Sequence, residues 1–172
     1  MPIVTPHCSG PLFSCMVYHE RFMHEALAEA DLAFREQEVP VGAVVVRGEQ
    51  VIGRGHNQMI RLNDPTAHAE ILAITAAAAA LGSPRLEGCR LYVTLEPCPM
   101  CAGAIVNARL DQLLFGAYDS RAGAAGTLYA ITTDRRLNHQ VETLGGVLDL
   151  RSAALLREFF QARRGTGGMS NE

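Results

Sequence analysis

Apolar residues recur along this chain with two periods, one helical and one extended. Between residues 19 and 38, Phe22, Met23, Ala26, Leu27, Ala30, Ala33 and Phe34 fall at the three-and-four spacing of a single helix face, with charged residues between them. That spacing predicts a first helix. Residues 41–47 and 50–55 are rich in β-branched side chains and flank Arg47-Gly48-Glu49-Gln50, so they read as antiparallel strands joined by a tight turn. Residues 56–63 are polar and irregular. Asp64-Pro65-Thr66 then supplies a cap and a start signal for a second helix to about Leu81, and its alanine-rich stretch at 76–80 allows close approach to a sheet. Residues 89–95 and 112–117 are apolar runs of strand length. Between them, Pro97-Cys98-Pro99 ends the first run and opens a helix to about Ala108, since proline suits a helix's first turn. A Gly/Ala-rich loop follows at 119–126, then a strand near 140–144 and a last helix from about Leu150 to Arg164, stopped by Gly165. Strands alternating with helices after an opening hairpin predict an α/β fold, a three-layer α/β/α sandwich around a five-stranded mixed sheet.

Residues 1–18 carry Pro2, Pro6, Gly10 and Pro11 and neither period, so they read as an irregular extension. Residues 19–165 then form one domain, which suits a chain of 172 residues, and 166–172 a flexible tail. No apolar run approaches the roughly 20 residues of a membrane span, and the first stretch lacks the anatomy of a secretion signal. A cytoplasmic location is expected. The reducing interior also suits thiolate ligands, and two of the five cysteines sit in a metal-type motif. His7, Cys8 and Cys15 could be read as a second metal cluster, but nothing around them resembles a site.

That metal-type motif carries the chemistry. His68-Ala69-Glu70 and Pro97-Cys98-Pro99-Met100-Cys101 offer one imidazole and two thiolates to a zinc ion. A structural zinc site closes with four side chains, whereas three leave a position for water, whose pKa zinc lowers to about 7. Glu70 is required by no metal and is the natural proton carrier. An H-x-E with a P-C-x-x-C is the signature of zinc-dependent nucleobase deaminases. A closed site would need a fourth ligand, for which Cys89 and His56 are the nearby candidates, although Cys89 opens an apolar run and is more simply a buried small side chain. Residues two apart on a regular helix point to nearly opposite sides. His68 and Glu70 can therefore serve one site only at a helix's capped end.

Charge complicates the choice of substrate. A formal net charge of −3 argues against a nucleic-acid partner. Residues 19–39, however, hold six acids against two arginines, leaving the remainder of the chain near neutral. The acidity lies on one helix that can face away from a substrate. All 15 cations are arginine, which can grip phosphate bidentately and stack on bases.

The zinc motifs resemble those of the cytidine/deoxycytidylate deaminase superfamily. Within it, residues 20–164 resemble the bacterial tRNA adenosine deaminases, through Val39-Pro40-Val41-Gly42-Ala43, residues 64–71, Gly123-Ala124-Ala125-Gly126 and Phe159-Phe160 followed by Arg163-Arg164. The resemblance implies one Zn2+ per subunit on His68, Cys98 and Cys101, with Glu70 as catalytic acid and base. It also implies a homodimer acting on a tRNA anticodon stem-loop, converting the wobble adenosine, in an arginine tRNA, to inosine with release of ammonia. Asn57 would read the target nucleoside, Asp119 would stand at the nucleotide-binding edge, and Asn138, Phe160, Arg163 and Arg164 would contact RNA. Each has an ordinary reading too, as turn or strand-end residues, a core aromatic, or arginines that complement a helix dipole. The chain departs from these relatives at Gln58, Met59 and Gln161, where basic or rigid residues are familiar. The competing readings are a free-base or nucleoside deaminase acting on guanine or cytosine, and a zinc-stabilised RNA-binding protein without turnover.

Overall fold

The computed structural model describes residues 12–166, with side chains from 17 to 164. His7, Cys8, the Cys15 side chain and the tail from 167 onward lie outside the described residues. Helix α1, Leu12–Arg35, starts earlier than the apolar period predicts and takes in part of the stretch expected to be irregular. Tyr18 and His19 anchor the C-terminal end of this added stretch. The Tyr18 hydroxyl donates to the Gly48 carbonyl at 3.0 Å, and His19 Nδ1 meets the Tyr92 hydroxyl at 2.9 Å.

Strands β1 (Gly42–Arg47) and β2 (Gln50–His56) form the predicted hairpin. A short helix α2, Met59–Leu62, occupies the stretch expected to be irregular. Helix α3, Ala69–Leu81, begins later than the proline and cap signal suggests. The reason is local, because Asp64 Oδ1 accepts from both the backbone N–H and the hydroxyl of Thr66 and holds that segment in a turn instead. Strand β3 (Cys89–Leu95), helix α4 (Pro99–Asn107) and strand β4 (Gln112–Ala117) follow the apolar runs closely. Strand β5 (Glu142–Gly145) and helix α5 (Asp149–Thr166) complete the chain, and α5 continues through Gly165 instead of stopping there.

The sheet order is β2-β1-β3-β4-β5, antiparallel at β2/β1 and β1/β3 and parallel at β3/β4 and β4/β5. Both faces are covered, which explains why β1 reads as a continuous apolar run. Val44 and Val46 turn to α1, against Phe22, Met23 and Ala26, while Ala43 and Val45 turn to α3 and α4. Helix α5 joins α1, with Ser152 against Gly116 and Phe159 edge-on to Phe34. The three-layer α/β/α sandwich is therefore present. On the opposite face, Ala69, Ala73 and Ala77 form the stripe of α3 that lies on β2. A Cβ at Gly53 would stand 2.3 Å from the Ala73 carbonyl oxygen and one at Gly55 2.5 Å from that of Ala69, so glycine permits this approach. Among the described residues, no helix is long and apolar enough to cross a membrane.

The parallel pair β3 and β4 is joined by α4, and the carboxyl ends of these strands meet the N-termini of α3 and α4 along one edge. Open α/β sheets bind ligands in such crevices.

Candidate active site

Two helix starts supply the cluster. His68 is the N-cap of α3, with extended backbone at φ −75 and ψ 154, and Glu70 stands in the first turn. The geometric condition on a pair two residues apart is met, since one member lies just outside the helix and the other just inside. Cys98 is likewise the N-cap of α4, Pro99 follows it, and Cys101 sits in the first turn, buried. Helix N-termini favour negative charge on thiolates placed there.

His68 Nδ1 lies 3.7 Å from Cys98 Sγ and 3.5 Å from Cys101 Sγ, and the three donor atoms fall within 4.8 Å of one another. Tetrahedral zinc with ordinary Zn–N and Zn–S bonds separates a nitrogen and a sulfur ligand by about 3.6 Å. The donor set thus fits zinc in type and in spacing. Neither candidate for closing it takes part. His56 lies between Glu29 and Glu36, at 3.3 and 3.2 Å, and Cys89 is buried at the start of β3. Among the described residues the cluster has three members.

Protons are shared tightly here. The Cys101 thiol hydrogen bond holds the Cys98 thiol down to about 4, with His68 acting in the same direction. The same contact with Cys98, together with burial, pushes Cys101 up, and the Cys98 hydrogen bond raises His68. A divalent cation takes over such a donor set by displacing its protons. Beside it, Glu70 is 4% exposed, and burial pushes its carboxyl up to about 7 against the opposing pull of its own backbone N–H and of His68.

His68, Glu70 and Cys98 face a cavity of about 250 Å³ that Asn57 and Asp119 also line. A second, wider groove of about 620 Å³ shares Val39, Leu95 and Asp119 with it, so Asp119 stands at their junction. Phe160, 46% exposed, Arg163 and Arg164 line this groove, together with Arg121 and Arg157. Arg163 has structural duties as well. Its guanidinium donates to the Gln37 carbonyl at 2.6 Å and lies 4.6 Å over the Phe159 ring, and Phe159 itself is a core aromatic. Asn138 lines neither space. It is exposed, and its carbonyl accepts from Arg109 at 2.8 Å.

Sequence reasoning missed two buried glutamates. Glu96, 2% exposed, accepts from the backbone N–H groups of Asp119, Ala125 and Thr127 and from the Thr127 hydroxyl. Burial pushes its carboxyl up, but these donors outweigh burial and hold it below the usual glutamate value. Glu38, 1% exposed, accepts from Asn57 and from two backbone N–H groups of α2. No pattern in the chain marks a carboxylate as buried. Arg157 carried a signal, because positions 157, 160 and 164 share one face of α5.

The local charge also answers the acidic total. Glu25, Glu29 and Glu36 of the α1 region are engaged with Arg54, His56 and Arg61, whereas the groove beside the cavity presents four arginines.

Fold and donor set together define a deaminase, and the profile of the MafB19-like deaminases matches residues 17–164. The chain is 46% identical over 149 residues to the tRNA-specific adenosine deaminase of Bacillus subtilis (strain 168), covering 87% of this chain and 92% of that one. It is 44% identical over 145 residues to the tRNA-specific adenosine deaminase of Aquifex aeolicus (strain VF5), covering 84% and 95%. Among solved structures, one from work on A-to-I editing by tRNA:A34 deaminases at the wobble position matches with a TM-score of 0.76 at 44% identity, covering 78% of this chain and 98% of that one. The guanine deaminase of Bacillus subtilis matches with a TM-score of 0.58 at 32% identity, covering 90% and 96%. The chain therefore belongs to the MafB19-like deaminase family and, within it, to the tRNA-specific adenosine deaminases.

Proposed function

We propose that this protein deaminates the wobble adenosine of a tRNA anticodon, in an arginine tRNA, to inosine, and that it does so as a cytoplasmic homodimer. The observation that carries this reading is a three-donor cluster with a buried carboxylate beside it, at a cavity that shares Asp119 with an arginine-lined groove.

His68, Cys98 and Cys101 would hold one zinc ion, which supplies an open coordination position and brings the pKa of a water there to about 7. Glu70 performs the proton transfers. It takes one proton as the water oxygen adds to C6 of the purine and delivers it to N1, then takes the remaining proton from the new C6 hydroxyl and delivers it to the departing amine. The C6–N bond breaks, and the products are inosine and ammonia. A carboxyl raised toward neutrality by burial is suited to both directions of transfer. Asn57 and Asp119 contact the extruded nucleoside from the cavity wall, while Phe160 and Arg164 engage the flanking bases and phosphates by stacking and charge. Arg163 shapes the end of the groove while holding α5 to the turn after α1.

The test is incubation of the zinc-loaded protein with an arginine tRNA bearing an ACG anticodon, followed by sequencing of the wobble base. Inosine at that base, with no ammonia from free guanine or cytosine, is the expected result. Ammonia from a free base without tRNA would favour the free-base reading instead.

A further inference from the structure

We infer that Glu38 is a positioning residue for the reaction, fixing which end of the Asn57 amide faces the substrate. This rests on the reading of Asn57 as a contact to the target base.

Glu38 follows α1 and is almost wholly enclosed, 1% exposed. One of its oxygens, Oε1, accepts the backbone N–H groups of Ile60 and Arg61, both at 2.8 Å. The other, Oε2, accepts Asn57 Nδ2 at 3.1 Å. Three N–H groups from the segment that follows β2 thus converge on one carboxylate, and the segment includes Met59, which lines the cavity beside Asn57.

An asparagine amide has a donor end and an acceptor end of nearly the same shape, and only its partners decide between them. Facing a group that solely accepts, Asn57 must present its NH2 to Glu38. Its oxygen and second N–H are left for the cavity. Asn57 is 5% exposed and has little room to exchange partners with solvent. The choice matters to a purine, because swapping a donor for an acceptor in a closed site leaves buried polar groups unpaired.

Glu38→Gln separates this role from simple packing. The two N–H groups of α2 need an acceptor, so the amide oxygen of the substituted side chain stays with them. Its NH2 then faces Asn57 and favours the inverted amide. Variant and wild type should have similar melting temperatures and equal metal content, while kcat/KM for the substrate that the wild type turns over falls about ten- to a hundred-fold. In an Asn57→Ala background the same substitution should have no further effect on kcat/KM. Equal losses in both backgrounds would show that Glu38 acts through the fold, and would overturn the inference.

A second arm does not depend on the substrate. The side-chain amide protons of Asn57 in 15N-correlated NMR spectra should include one shifted downfield by a carboxylate partner, and Glu38→Gln should remove that shift. An unchanged Asn57 amide signal would also overturn the inference. A wild type that makes no inosine but shows the shifted signal would instead overturn the tRNA reading and leave the positioning role standing.

Discussion

Glu70 and Glu96 line one cavity and are almost equally enclosed, 4% and 2% exposed, yet the chain treats them in opposite ways. Glu70 sits at the start of α3 beside two thiols and an imidazole, and burial leaves its carboxyl near 7. Glu96 follows β3 beneath the loop at 119–127, where the Thr127 hydroxyl and three backbone N–H groups overcome burial and keep it ionised. Burial alone therefore does not make a carboxylate an acid–base group. The supply of donors decides, and it sets apart a wall whose carboxyl is raised toward neutrality, to which the proposed chemistry is assigned, from a wall whose carboxylate holds the neighbouring loop.

That division predicts different failures on the two sides. The largest effect belongs to the cluster. Cys101→Ser should lower bound zinc and inosine formation together, to background, as read by metal analysis and wobble-base sequencing. Retained turnover without metal would erase the distinction between the walls.

On the other wall, Glu96→Gln should damage stability first. An NH2 in place of one oxygen faces groups that only donate, so unfolding should become easier by about 1–3 kcal/mol in urea titrations. The sign with pH follows from the depressed carboxyl. Its contribution is fully present above the unfolded value, 4.5, and is lost as pH falls through the lower folded value. The gap between wild type and Glu96→Gln should thus be widest near neutrality and should close in acid. A constant gap down to low pH would mean that Glu96 is not held ionised.

The smallest effect lies beyond both walls, in the groove. Arg164→Ala should raise KM for tRNA with little change in kcat, and should reduce the slope of log affinity against log salt by about 1. An unchanged slope would remove Arg164 from the phosphate contacts.

The wall that holds Glu70 and the donor cluster was legible in the chain because residue type and spacing mark such a cluster. His68, Glu70, Cys98 and Cys101 announce a cation site wherever the helices begin, and the apolar runs at 89–95 and 112–117 place the strands that lead to it. The start of α3 was less legible, because Asp64-Pro65-Thr66 suits a turn as well as a cap, and the Asp64–Thr66 hydrogen bonds favour the turn. That delay makes His68 the cap residue and lets it share a site with Glu70. The start of α1 was missed because it is held by contacts from Tyr18 and His19 to the distant β1–β2 turn and to β3. Glu38 and Glu96 stayed hidden for the same reason, since their partners lie 19 or more residues away in sequence.

Glu70 acting as a proton carrier without being a metal ligand is the step on which the proposed reaction depends. Zinc per chain and wobble inosine, measured on one preparation of Glu70→Ala, test it. The predicted result is about one zinc per chain with inosine reduced by roughly 10²–10⁴-fold. Loss of the zinc, or inosine formed at the wild-type rate, would contradict it.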